Sequence, residues 1–298
     1  MTARMAAPGV VTEYFELDSA HVGTRFAISV SLPPTYALTD DTHPLVYATD
    51  GNAFGPLMEA ARAGLVGAEA VRPVQPFVQV SIGYPPDVAP QLLVLRNRDL
   101  VPPGEGYPAF MPAHIHSRLG VAQGLMPESA VDAFFEQQRA ARADRFLTFV
   151  EDELHPEITR RYRVRTGETG LFGYSYGGLF TLYALTSGSR LFTRFGASSP
   201  GILVPDSRIY ALYDELVAGG ADLERHLHLT VSSYEMLGPV ALYRTLGLEF
   251  LRFYGVLQDR PPARPARDRR PDPGRGPRQR RAGRYRSFLR TCYPEKMG

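Results

Sequence analysis

The chain has 298 residues, is 44% hydrophobic and carries a formal net charge of +2 at pH 7. That composition fills one large α/β domain or two small ones, and no run of about 18 apolar residues suggests a membrane span. The near-neutral total hides a split: Asp259–Arg284 holds ten Arg and three Asp, a local +7, so the rest of the chain sums to 2 − 7 = −5. A nucleic-acid binder needs its basic face on a folded body, and this body has none. Lysine occurs once, at Lys296, against 32 arginines, a bias expected of GC-rich coding DNA rather than of phosphate binding. The single cysteine, Cys292, excludes an internal disulfide. With no continuous apolar stretch in Met1–Gly9, a cytoplasmic location is expected.

Val10–Leu17 and Arg25–Leu32 alternate in polarity and are rich in β-branched and aromatic residues. They predict two antiparallel strands joined by a turn near His21-Val22-Gly23. Pro33 and Pro34 close the second, since proline cannot continue a ladder. Pro44–Thr49 reads as a buried strand ending in Asp50-Gly51-Asn52, Phe54–Ala63 as a helix, and Phe77–Ile82 as another apolar strand. Between Leu100 and Arg142 the pattern is interrupted by Pro102, Pro103, Gly104, Gly106, Pro108 and Pro112, and only Glu128–Ala141 reads as helix. Phe146, Phe149, Val150, Leu154 and Ile158 then recur at helical spacing within Ala143–Tyr162.

Further on, Phe195–Pro200 reads as a strand end, and Asp206–Ala218 as an amphipathic helix capped by Asp206. Leu227–Ser233 reads as a strand, Pro239–Leu246 as a helix, and Phe250–Leu257 as a last strand. This alternation predicts an α/β fold, with a mostly parallel central sheet, helices on both faces and an antiparallel N-terminal hairpin. Composition changes at Gln258. Asp259–Arg284 has no apolar side chains besides proline and alanine, too little to offset its ordering entropy. The expected organisation is one domain over 1–257 and an Arg/Pro-rich tail over 258–298, disordered or the product of a frameshift in GC-rich DNA. The rival is a genuine basic linker ending in a short helix over Tyr285–Cys292.

The chain is organised around Thr169-Gly170-Leu171-Phe172-Gly173-Tyr174-Ser175-Tyr176-Gly177-Gly178-Leu179-Phe180. An apolar run of strand type passes through Gly-Tyr-Ser-Tyr-Gly into a helical pattern, which is the context a G-x-S-x-G nucleophile requires. Small residues at Gly173 and Gly177 let the turn close and aim the Ser175 hydroxyl outward, while Tyr176 offers its N–H to an oxyanion. The bland reading is a Gly-rich corner with an inert serine.

This stretch resembles the nucleophile elbow of the putative-esterase family of α/β-hydrolases, which includes siderophore and enterobactin esterases, esterase D and the mycolyltransferases. The similarity runs from about Thr12 to Leu257. It includes Pro44-Leu45-Val46-Tyr47-Ala48-Thr49-Asp50-Gly51-Asn52-Ala53-Phe54 and Arg96-Asn97-Arg98-Asp99-Leu100-Val101-Pro102. The resemblance implies a serine carboxylic-ester hydrolase with a Ser175 acyl-enzyme, a small-molecule ester substrate and no metal or organic cofactor. It also implies a lid over about 100–142. The oxyanion hole would combine Tyr176 with Gly51 or Asn52. Glu235, after the LHLTVSS strand, stands where the acid is due, ahead of Asp206 and Asp214; its bland reading is a solvated loop carboxylate. Arg98 and Asp99 either bind substrate or anchor a loop.

The base is the difficulty. Triad order in this fold is Ser, acid, His. The seven histidines are His21, His43, His114, His116, His155, His226 and His228, and none follows the proposed acid. His114 and His116 lie in the lid segment and are the candidates for a recruited base. As a metal half-site they lack any further clustered ligand. The expected enzyme is therefore impaired, the alternatives being an acyltransferase on the same fold or a non-catalytic binding protein.

Overall fold

The computed structural model describes residues 3–7, 10–65, 74–88, 91–106, 121–122, 127–220, 225–260 and 277–294. Among the described residues eight strands form one sheet: β1 Ala3–Ala7, β2 Val10–Ser19, β3 Thr24–Leu32, β4 His43–Ala48, β5 Val78–Gly83, β6 Val164–Tyr174, β7 Arg194–Ser198 and β8 His226–Thr230. Their order across the sheet is β1-β2-β3-β5-β4-β6-β7-β8. The first four neighbours pair antiparallel, and β5-β4-β6-β7-β8 pair parallel. The predicted hairpin is β2–β3, which registers Ser19 with Thr24 and turns through Gly23 at φ 71°.

Among the described residues ten α-helices accompany the strands. In chain order they are α1 Gly51–Ala63, α2 Leu92–Leu100, α3 Val131–Arg139, α4 Ala143–Thr148, α5 His155–Arg161, α6 Tyr176–Thr186, α7 Arg208–Ala218, α8 Ser233–Leu237, α9 Ala241–Asp259 and α10 Pro277–Cys292. A π turn over Phe149–Leu154 joins α4 to α5. None of the described helices is long and apolar enough to cross a membrane.

Alternate residues of the central strands face opposite sides. Leu45, Tyr47 and Leu171 join the cluster on one face, with Phe149, Leu179 and Phe180. Val46, Ala48 and Phe172 join the other, with Met58, Phe77, Tyr285, Phe288 and Leu289. From β4 the chain runs to β5 on one side and later returns to β6 on the other. The gap between the C-terminal ends of β4 and β6 is thus the topological switch point, where open α/β sheets place their ligands.

Three sequence expectations change. Phe250–Leu257 is not a strand but the second half of α9, so β8 is the sheet's last strand. The aromatic content of LRFYGVL suggested a strand, yet Leu246, Phe253 and Leu257 are buried at helical spacing while Leu248 and Leu251 stay exposed. Gly247 is where α9 crosses α8: a Cβ there would meet the Glu235 carbonyl oxygen at 2.7 Å. Helix α7 is capped by Ser207, whose Oγ accepts the Ile209 N–H at 3.4 Å, and not by Asp206.

The third change concerns the tail. Residues 277–292 form α10, and Arg284, Tyr285, Phe288, Leu289, Cys292 and Tyr293 are buried. Phe288 packs on Phe172 with ring centroids 5.5 Å apart, and the Tyr285 hydroxyl donates to Gln79 at 2.8 Å. The expected tail therefore ends in an integral layer of the fold. A helix over Tyr285–Cys292 was the rival reading of the tail; what the surrounding arginines masked is that its i, i+3, i+4, i+8 stripe of Tyr285, Phe288, Leu289 and Tyr293 is buried.

The described part of the lid segment packs on α2. Val94 and Ala130 are buried together, with Val121 and Val131 against them. At the segment's start, Glu105 accepts the Arg208 N–H at 2.9 Å. Residues 107–120 and 123–126, including His114 and His116, lie outside the described residues.

Candidate active site

Ser175 sits between the end of β6 and the start of α6 with φ 57° and ψ −119°, a conformation that L-residues rarely adopt. Surrounding backbone holds it there. Its N–H donates to the Ser198 carbonyl at 3.0 Å, and its own carbonyl accepts from Leu179 N at 2.9 Å and Gly201 N at 2.8 Å. The flanking glycines are required by contact. A Cβ on Gly173 would run into the Gly177 carbonyl, and one on Gly177 into the Thr49 hydroxyl. Ser175 itself is half-buried, with Tyr176 buried behind it.

Two helix N-termini converge at this point. Tyr176 opens α6, and Gly51 and Asn52 open α1; the first N–H groups of a helix have no acceptor within it. The two openings are adjacent, because Thr49 N donates to Phe172 O at 3.2 Å and the Asp50 carboxylate lies beside Gly177. The Asn52 side chain is already engaged: its Oδ1 accepts Tyr84 N at 2.6 Å and its Nδ2 donates to Tyr84 O at 2.7 Å. It clamps α1 to the exit of β5.

Arg98 and Asp99 form a buried bidentate ion pair at 2.6 and 2.8 Å, and the Tyr84 hydroxyl donates to Asp99 at 2.9 Å. Burial pushes the Asp99 carboxyl up, opposed by Arg98 and Tyr84. This is the geometry of an anchor between α2 and β5. Arg96, which the sequence reading quoted without a role, is the member of that element that reaches the site. It donates to both Asp50 oxygens at 2.8 and 2.9 Å and lies over the Tyr176 ring at 5.4 Å.

Glu235 is no solvated loop carboxylate; only 3% of it is exposed. It is the third residue of α8 and closes a capping box with Ser232. Its Oε2 accepts Ser232 N at 2.8 Å and the Ser199 hydroxyl at 2.5 Å, while Oε1 accepts the Tyr174 hydroxyl at 3.2 Å. The cation paired with it is Arg284 of α10, at 3.2 Å. Arg284 also bonds Ser198 and Ser199 through Nη1 and lies over the Tyr174 ring at 5.4 Å. Sequence reasoning missed Arg284 entirely. Its one signal was position, a turn ahead of Phe288 on the stripe that α10 buries.

The described histidines are not gathered at Ser175. His21 lies in the hairpin turn, and His43 opens β4, at the end of the strand opposite Asp50. His155 bonds the Tyr47 hydroxyl at 3.0 Å. His226 and His228 both lie on β8, the first exposed and the second buried near Phe288, with ring centroids 6.3 Å apart.

Comparisons with known proteins agree with this architecture. The family described as "Putative esterase" matches residues 127–225. A siderophore enterobactin esterase of Emericella nidulans is 31% identical over 206 residues, 66% of this chain and 60% of that protein. The ferri-bacillibactin esterase BesA of Bacillus subtilis is 30% identical over 196 residues, 64% and 58% of the two chains. The chain thus spans about three fifths of the length of these curated relatives. In fold, the BES protein from Bacillus cereus superposes with a TM-score of 0.72 at 21% identity, covering 98% of this chain and 97% of that one. The siderophore hydrolase EstB from Aspergillus nidulans gives 0.72 at 21%, covering 99% and 98%. In its elbow, its sheet order and these matches the chain is similar to the putative-esterase family, whose model matches residues 127–225, and it has the α/β-hydrolase fold.

Proposed function

We propose that this protein is a serine hydrolase of carboxylic esters, with Ser175 as the nucleophile. The observation that carries the reading is the backbone of Ser175, held at φ 57° and ψ −119° where β6 turns into α6 at the switch point. In the reaction the Ser175 oxygen adds to the ester carbonyl. The N–H groups of Tyr176 and Gly51 stabilise the resulting oxyanion, the alcohol leaves, and water releases the acid from the acyl-enzyme. The names of the curated relatives favour siderophore esters as the substrate class.

Glu235 is the acid in this reading, but the residue against it is an arginine. A triad acid orients an imidazole that shuttles the proton. Arg284 cannot take that proton at neutral pH, and no histidine follows Glu235 in the sequence. The proposal is therefore of an ester hydrolase whose turnover is impaired, with acyl-enzyme chemistry confined to reactive esters. Packing of Tyr285–Tyr293 against the sheet narrows the frameshift idea to the Arg/Pro-rich stretch between Gln258 and Arg284. A second frame change near Arg284 would restore the native register. Reading the other two frames of that stretch tests this: a histidine followed by turn and helix residues supports it, and its absence from both frames refutes it.

The same missing base favours a second reading, a binding protein that retains the pocket without turnover. A fluorophosphonate probe and p-nitrophenyl acetate separate the two. An enzyme gives labelling and an initial burst that Ser175→Ala abolishes, a loss of several orders of magnitude. Equal labelling of wild type and Ser175→Ala, or none of either, removes the hydrolase reading.

A further inference from the structure

A cleft of about 300 Å³, partly open to solvent, lies beside Ser175 between α1 and the ends of β6 and β7. Its position follows from the elbow. Gly173 and Tyr174, which line it, lead into Ser175, and Ser198, which also lines it, accepts the Ser175 N–H at 3.0 Å. Thr49, two residues ahead of Gly51, lines it as well. Tyr174 lies two residues past Phe172 and in register with Ser198, so these side chains share the face of the sheet that α1 covers.

None of the described lining residues is charged. Met58 and Phe172 are buried and form the floor, while Phe54, Leu57 and Tyr174 are half-buried and form the rim. The rim is preset. The rings of Phe54 and Tyr174 meet edge to face with centroids 5.8 Å apart, and the Tyr174 hydroxyl donates to Glu235 at 3.2 Å. Such a cleft gains free energy from apolar surface removed from water and offers an ion no partner. Its place beside Ser175 decides which apolar group that is. The ester carbon under attack carries four groups: the Ser175 oxygen, the oxyanion facing the Tyr176 and Gly51 N–H groups, the departing alcohol and the acyl chain. The alcohol must reach solvent. The acyl chain stays attached through the acyl-enzyme and has to be housed next to Ser175.

From this geometry we infer that the cleft is the acyl pocket, and that it selects esters whose acid part is a short, uncharged, apolar chain. Leu57 and Met58, consecutive on α1, set how long that chain can be. The inference rests on Ser175 acting as nucleophile and narrows the substrate class of that reading on one side of the ester bond.

The test is the initial burst with p-nitrophenyl acetate, butyrate and octanoate, in wild type, Leu57→Ala and Met58→Ala. A methylene that a pocket accepts or rejects changes the rate by roughly tenfold or more. Wild type is expected to be acylated by butyrate at least about tenfold faster than by octanoate. Both variants are expected to raise the octanoate-to-butyrate ratio by about tenfold. A ratio taken within one variant is independent of its folded fraction, and if Met58→Ala does not fold, Leu57→Ala carries the comparison. A second series, 2-alkyl-4-nitrophenyl acetates with methyl, propyl and hexyl groups, varies the alcohol at a fixed acyl group. A wild type indifferent to acyl length, ratios unchanged in the variants, or a shift in the alcohol series instead overturns the inference and leaves the hydrolase reading standing. A burst that persists in Ser175→Ala, or no burst from wild type with any of these esters, removes both.

Discussion

The Ser175 side and the Glu235 side of this site are built to different standards. On the Ser175 side every constraint converges on the proposed nucleophile: glycines that admit no Cβ, a backbone held by Ser198, Leu179 and Gly201, and an arginine joining the two helix openings. On the other side Glu235 is buried and fully bonded, but its partners tie it to the scaffold. Two hydroxyls, a backbone N–H and the Arg284 guanidinium take up its oxygens. The contrast teaches that a buried, fully bonded carboxylate beside a nucleophile elbow is not by itself a catalytic acid. It becomes one through what it orients, and here it orients a permanent cation.

The largest effect that would sharpen this contrast is on stability. Removing one partner of a buried ion pair typically costs about 3–5 kcal/mol. Arg284→Ala is expected to lower unfolding free energy by that amount, measured by urea titration, because Glu235 keeps its charge and loses its counter-ion. The folded fraction should still be labelled at Ser175. A loss below about 1 kcal/mol would mean that α10 is held by its apolar stripe alone and that Arg284 is no structural partner of the acid.

A smaller effect separates histidines that serve the fold from one that would serve chemistry. Burial holds His43 and His155 below the ordinary imidazole value of 6.5. The unfolded chain then binds more protons than the folded one below that pH, so stability is complete above it and falls as pH drops through about 6.5. The urea midpoint should be lower at pH 5.5 than at pH 7.5, and His155→Gln, which retains a partner for Tyr47, should reduce the difference. The Ser175 labelling rate should show no inflection in that range. An inflection near 6.5 in the labelling profile would point to an imidazole base.

How much of this was readable beforehand follows the same division. The elbow was legible because strand, turn and helix are contiguous and the glycines are required locally; Gly173 and Ser175 follow from five consecutive residues. The hairpin and the central strands were legible by alternation. Arg284 was not, because it joins Glu235 across 49 residues and lies in a stretch whose composition argued against any core. Arg96 was hidden for a different reason. The resemblance put forward Arg98 and Asp99, and only helix α2 decides which residue faces Asp50 and which pair turns to Tyr84. Phe250–Leu257 was misread because aromatic residues favour strands in general, while the register of buried positions that marks α9 extends back to Leu246, across a glycine.

The smallest expected effect is the most discriminating. In an intact triad, replacing the acid by its amide lowers turnover about 10⁴-fold, because the imidazole loses its correct tautomer. Here Glu235→Gln should change the Ser175 labelling rate of the folded fraction by less than about tenfold, since no described histidine depends on that carboxylate. The variant will be less stable, because Arg284 loses its counter-charge, so the rate must be normalised to folded protein. A fall of a thousandfold or more would reverse the comparison on which the two halves of the site were distinguished. It would mean that Glu235 orients a base after all, and the histidines left to supply it are His114 and His116, in the lid segment outside the described residues. His114→Gln and His116→Gln would then identify which one, by reproducing the loss without the destabilisation that Glu235→Gln brings.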